Sequence, residues 1–402
     1  MAPRSLLHPQ AAPVPAVRPA VLGKGFRPFF WLAAVHVAVV LPAWLLALSG
    51  RWTTGAYLSG TFWHAHEMLF GFTLAVIAGF LLTAVGNWTE RETAVGLPLA
   101  LLAVLWVLGR ACVTFADALP RGMPAVVDLS FLPALGFACA RPVLGTRNAR
   151  NYPFVVMLGV LFVANLGMHL GALGIAPNAL RKGAWLGIYT VVVMMLVMTG
   201  RIVPMFTRNA TRAEGILSAP RLDRAAIGST LVAAAADLSG LDERAVAAVS
   251  VLAAVSIVAR AWRWGAQHTR RQPLLWVLHA GHTFIAFGFL LRALGLFVPR
   301  ITPAISLHAF TAGGIGLLTL GMMARVSLGH TGRMLAPAPS MSVGFVLVLA
   351  AALVRVVGPM LGADAYLPAM IGSGVLFALG FGIFLVVYTP ILVAPRVDGK
   401  PG

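Results

Sequence analysis

The sequence has 402 residues, 59% hydrophobic and 10% charged, with a mean hydropathy of +0.88. Such a composition excludes a soluble globular protein, and lipid must be the solvent for most of the chain. The formal charge of +18, from 30 Lys and Arg against 12 Asp and Glu, would suit a nucleic-acid binder, but the basic residues fall in alternate loops between apolar stretches, a topology signal that argues against nucleic acid as a partner.

Twelve apolar stretches follow in chain order, near 28–48, 63–86, 95–116, 124–140, 153–175, 182–205, 225–239, 245–262, 273–297, 303–326, 341–361 and 367–393. A membrane-crossing helix takes about 20 mainly apolar residues, so the predicted fold is an all-α membrane protein of about twelve transmembrane helices, one domain over 28–393 in a lipid bilayer. Residues 1–27 are rich in Pro and Ala and show no short apolar core ending in a cleavage site, so they read as an N-terminal tail, with 394–402 as a C-terminal one. Lys24 and Arg27 precede helix 1; Arg141 and Arg147 follow helix 4, Arg208 and Arg212 helix 6, and Arg263 and Arg270 helix 8. The positive-inside rule then places both termini in the cytoplasm. Cys112 and Cys139 lie in apolar helices without a C-x-x-C pattern, which leaves nitrogen, or oxygen or thioether sulfur, to hold any metal.

Histidine is the cheapest ionisable side chain to bury and the commonest metal ligand, so the intramembrane histidines are the candidate functional residues. Helix 2 opens with His64, His66 and Glu67. The two histidines point roughly 200° apart on a helix and are expected in different sites. Glu67, three after His64, shares its face and makes with it a candidate metal site or a carboxylate that orients a ligand; a place in the interfacial belt beside Trp63 is the alternative. Glu67 is also the carboxylate best placed to carry protons. His66 and His308, five and six residues beyond expected caps at Thr61 and Thr302, predict two facing imidazoles at one depth, suited to haem b, with packing as the alternative. Arg110, Arg292 and Arg355 fall in the outer third of helices 3, 9 and 11 as candidates for haem propionates, or as side chains snorkelling to the interface.

A second, cytoplasmic layer is expected from His36, His279, His282 and His330, with Arg325 nearby. His308 and His330 are 22 residues apart, about 33 Å along a helix, so one metal cannot join the two layers. Met194, Met195, Met198 and Met205 read as packing. His169 is a further outer-layer candidate; His8 and His268 sit in polar segments and carry no signal.

Three segments, 79–89, 197–207 and 321–331, can be superposed, each ending in threonine (Thr89, Thr207, Thr331). They suggest repeats over 28–140, 153–262 and 273–393, an arrangement analogous to subunit I of the haem-copper oxidases; chance likeness between apolar helices is the alternative.

The pieces WHAHEMLFG at 63–71, GFLLTAVGNWT at 79–89, LHAGHTF at 278–284, LHAFTAGGIG at 307–316 and MMARVSLGHTGR at 322–333 resemble the NnrS family over nearly the whole chain. The resemblance implies a bacterial inner-membrane protein that contains haem and copper and is associated with nitric oxide metabolism or resistance. The family positions carried here are His64, His66, Glu67, His279, His308, Arg325 and His330, whereas His282 stands where many relatives have an aromatic residue. The function this implies is binding or reduction of nitric oxide at a buried metal, with electrons from a donor that the sequence does not identify. A proton-coupled transporter of a metal or small anion, or a haem-based nitric oxide sensor or scavenger without turnover, are the alternatives.

Overall fold

The computed structural model describes residues 19–400. Residues 1–18 of the expected N-terminal tail, with His8, and residues 401 and 402 lie outside the described residues. Twelve long helices account for most of the rest: α1 Phe26–Leu48, α2 Thr61–Thr89, α3 Leu97–Thr114, α4 Met123–Gly145, α5 Tyr152–Ala172 and α6 Pro177–Thr211, then α7 Pro220–Ser239, α8 Glu243–Ala261, α9 Pro273–Leu294, α10 Pro303–His330, α11 Pro339–Val357 and α12 Ala363–Val393. Proline stands in the first turn of α3 to α7 and of α9 to α11, where its missing N–H costs nothing.

Among the described residues, eleven of the twelve are long and apolar enough to cross a membrane, and the chain is a multi-pass membrane protein. The exception is α7, the expected span at 225–239. It starts earlier, at Pro220, and carries Arg221, Asp223, Arg224 and Asp237. Two of these charges are paired inside the bundle, Asp223 with Arg260 at 3.2 Å and Asp237 with Arg292 at 2.6 Å, so the helix is held by ion pairs as well as by apolar contact.

The most enclosed helices are α2, with 83% of its apolar window buried, and α9 and α10, with 72% each; α3, α4 and α12 bury 39%. The centre of the bundle is therefore built on α2, α9 and α10, with α6 between them, and α1 packs on both α2 and α12.

Both α2 and α10 are interrupted by seven residues of π-helix, Glu67–Thr73 and Ala309–Ile315. Each interruption starts one residue after a histidine, His66 or His308. An i→i+5 turn inserts an extra residue into the helical ladder, turns the faces that follow, and occurs most often at functional sites. At Gly71, within the first π segment, an added Cβ would collide with the His36 ring of α1; at Gly313, within the second, it would collide with Phe284 of α9. Glycine is what lets these side chains lie against the π turns. Thr89, Thr207 and Thr331 are all buried, and each donates its hydroxyl to the carbonyl four residues back, at 2.8, 2.9 and 2.7 Å.

Candidate functional site

Near their N-terminal ends α2 and α10 wall a cavity of about 190 Å³ with α1, α6, α11 and α12. His64 and His308 both line it, together with Arg355 and an apolar wall that includes Leu41, Met68, Phe72, Ile188 and Phe377. The His64 ring stacks on Trp44, 4.8 Å between centroids, and its Nδ1 is buried with no hydrogen-bond partner among the described residues. The His308 Nε2 accepts from Arg355 Nη2 at 3.0 Å. Arginine can only donate, so that Nε2 carries the lone pair.

The pair of imidazoles facing one cavity is thus His64 and His308, where equal depth had suggested His66 and His308. Depth depends on counting residues from the helix start, and the caps assumed for that count differ: Gly60 precedes α2, and Thr302 makes no side-chain cap bond. The face a residue presents decides its site, and His66 presents the other one.

There His66, fully buried, enters a polar cluster drawn from five helices. Its Nδ1 lies 3.1 Å from Glu67 Oε1, and its Nε2 lies 3.0 Å from Asn165 Oδ1 and 3.3 Å from Asp128 Oδ2. Arg110 donates to Glu67 Oε1 at 2.9 Å and also pairs with Asp128 Oδ1. His169 Nε2 is 2.8 Å from Asp128 Oδ2, and its Nδ1 is 2.7 Å from the Tyr57 hydroxyl. Tyr57 lies in the loop between α1 and α2, which is pinned by Asp117 through the Ala56 and Tyr57 amides. Burial pushes the Tyr57 hydroxyl up to about 12, so it keeps its proton at neutral pH. His36 closes the cluster, with Nε2 3.0 Å from the Glu67 carbonyl and 3.3 Å from its Oε2.

Several expected neighbours are therefore separated. Glu67 meets His36, His66 and Arg110, and not His64: residues three apart lie about 60° apart around a helix, and its partners stand on the side away from the cavity. Arg110 is committed to Glu67 and Asp128. Arg292 is held by Asp237 and Glu243 at 2.6 and 2.8 Å, and of the three arginines expected to hold propionates only Arg355 lines the His308 cavity. His36 belongs with Glu67, not with a cytoplasmic layer.

That second layer is dispersed as well. His279 Nε2 meets Thr207 Oγ1 at 3.0 Å, and His282 lies between Thr199 and the Ile257 carbonyl at 3.3 and 3.4 Å. His330 packs on Phe26 with 5.8 Å between ring centroids, while Arg325 lies 3.8 Å over the Phe206 ring. Asp128 and Asn165 were missed from the sequence, although a carboxylate within an apolar stretch is the signal that finds such a site.

The profile of the NnrS protein family matches residues 20–396. The chain belongs to that family. No curated protein matches it. The family match spans α1 to α12, so both the His64–His308 cavity and the His66 cluster lie within the part that defines the family.

Proposed function

We propose that this protein binds haem in the cavity between α2 and α10 and uses it to bind or reduce nitric oxide. The observation that carries the reading is the placing of two imidazoles, His64 and His308, on one apolar cavity in a chain whose family name points to nitric oxide. The residues fit a haem in donor type and in wall chemistry. His64 offers a buried Nδ1 without a partner, and His308 has its Nε2 lone pair turned to Arg355. A porphyrin exceeds the present volume, so flexible wall side chains such as Met68 must move to admit it.

Bound there, haem supplies a redox-active iron as the centre for nitric oxide chemistry. His64 and His308 would hold it, and Trp44 fixes the His64 ring by stacking. Arg355, which lines the cavity beside His308, would hold the propionate carboxylates, the planar anions that its guanidinium matches best. The apolar wall excludes water and admits a small neutral gas from the lipid. Glu67, on the opposite face of α2, is bonded to His66 and Arg110 and carries protons along the cluster towards Tyr57 in the loop.

We also read the bundle as three four-helix units over 28–140, 153–262 and 273–393, supported by the matching π turns and the three buried threonines, with both termini in the cytoplasm of a bacterial inner membrane. A copper ion, which the family implies, is part of the same reading. The test is the absorption spectrum of detergent-purified, dithionite-reduced protein before and after anaerobic addition of nitric oxide. The expected result is a Soret band that shifts with the gas, and a protein without one contradicts the reading.

The unbroken chain of contacts from His36 through Glu67, His66, Asp128 and His169 to Tyr57 favours one second reading, a proton-coupled transporter. In that case proteoliposomes carry protons with a solute and need no haem.

A further inference from the structure

A second cavity, of about 80 Å³, lies further along α2, α6 and α10, the three helices that also wall the His64–His308 cavity. On α2 the first cavity ends at Thr73 and the second begins at Val76; on α10 the corresponding residues are Ile315 and Leu318. Three residues rise about 4.5 Å, so less than one turn of each helix separates the two spaces. The second cavity has one side within the bundle and one towards lipid. Val76, Met194, Thr199 and Leu318 are buried, whereas Phe80, Met195, Met198 and Met322 are partly exposed. Met195 and Met198 stand near the middle of the 35-residue α6, so the open side meets acyl chains and not headgroups or water.

We propose that this cavity is a docking site for a small uncharged gas, and the entrance by which the gas passes from the bilayer to the His64–His308 cavity. No charged side chain lines it, and the hydroxyls of Thr199 and Thr319 donate to the carbonyls of Leu196 and Ile315 at 3.3 and 2.7 Å. An ion would lose its water there with nothing to replace it, whereas a dry apolar cavity takes up apolar guests such as xenon. The space suits a diatomic gas and is far too small for a porphyrin. Methionine gives such a wall two properties. Its sulfur is polarisable, which favours contact with a polarisable guest, and its unbranched chain changes rotamer readily, so Met195 and Met198 can yield on the lipid side without backbone motion. Three of the four α6 methionines that read as packing in the sequence, Met194, Met195 and Met198, thus line a single cavity, and Met205 does not. The docking site stands without haem; its use as an entrance rests on the proposed function.

The test has two parts. Crystals of the wild-type protein under xenon pressure are expected to show xenon in this cavity by its anomalous scattering. Met198→Trp, on the lipid side, should expel it, and Met198→Leu, which nearly keeps the volume, should not. In reduced, detergent-purified protein, stopped-flow mixing with nitric oxide should show association slowed several-fold by Met198→Trp and by Met195→Trp. The Soret band and the affinity should stay as in wild type, since an entrance alters the rate and not the end states. Val104→Trp, at an exposed position of α3, should bind at the wild-type rate. A wild-type cavity without xenon, or one filled by the end of a lipid or detergent chain, overturns the docking site. Met198→Trp and Met195→Trp proteins that both bind nitric oxide as fast as wild type overturn the entrance. Protein that takes up xenon here but shows no Soret band sinks the haem reading and leaves the docking site standing.

Discussion

His64 and His66 stand two residues apart on α2 and serve different surroundings: His64 lines the cavity it shares with His308, while His66 bonds Glu67 and Asn165 across the helix. The α2 backbone is thus a partition between an apolar chamber with two imidazoles and a buried network of charges. A change on one face is expected to leave the other intact, which makes the two roles separable by mutation.

Arg355 tests the chamber's anion-binding side. Arg355→Gln removes the charge-assisted bond to His308 Nε2 and the group proposed for the propionates, a loss of about 1.5–3 kcal/mol. Haem retention after dilution is expected to fall at least tenfold, and Arg355→Lys to keep part of it. Unchanged retention in Arg355→Gln would remove Arg355 from the haem site.

Gly71→Ala puts a methyl group where the His36 ring lies. His36 cannot then stay on the Glu67 carbonyl, and crowding of this kind costs about 1–3 kcal/mol. Gly372→Ala, in α12 with open space around it, is the control and should be neutral or slightly stabilising. Thermal unfolding in detergent compares them, and a Gly71→Ala protein as stable as wild type would show that the close approach is not needed.

Arg292 was expected at a haem propionate but is bound by Asp237 and Glu243. Arg292→Ala should therefore leave the Soret band unchanged and destabilise the α7–α9 contact by about 1–3 kcal/mol, since Asp237 keeps only its bond from Tyr189. Loss of haem from this variant would restore the sequence-based assignment.

At the far end of α10 the C-terminal segment is clasped to the helix end: Arg396 donates to the His330 carbonyl at 2.8 Å, and Val397 to that of Thr331 at 3.1 Å. Asp398 holds Arg396 through bonds of 2.8 and 2.5 Å, and these hold its own carboxyl down to about 2. A depressed carboxyl contributes stability above its ordinary value near 3.8, lost as pH falls through about 2. The clasp is therefore expected to be indifferent to pH across the neutral range, and Asp398→Asn to loosen it there. Trypsin cleavage after Arg396 reads this out, and equal cleavage of both proteins would contradict it.

Helices were legible in the sequence because burial in lipid needs long apolar runs, and eleven of the twelve expected spans are of that kind. The start of α7 was not legible, since Arg221, Asp223 and Arg224 break its apolar run, and the partner of Asp223, Arg260, stands at the far end of α8. The candidate site was legible in residue type: His64, His66, Glu67, His308 and Arg355 all lie in or beside it. Its grouping was not. Which neighbour a helix face meets is a tertiary fact that spacing along a single helix does not carry. Asp128 carried a readable signal, a lone carboxylate in an apolar stretch, while Asn165 gains its meaning only from standing between His66 and Asp128.

The central claim, that His64 and His308 together hold a haem, is tested most directly by absorption spectra of the purified wild-type, His64→Ala, His308→Ala and His66→Ala proteins. The expected result is a Soret band in wild type that is lost in His64→Ala and in His308→Ala and kept in His66→Ala. A wild-type protein without the band, or His64→Ala and His308→Ala proteins that both retain it, would contradict the account.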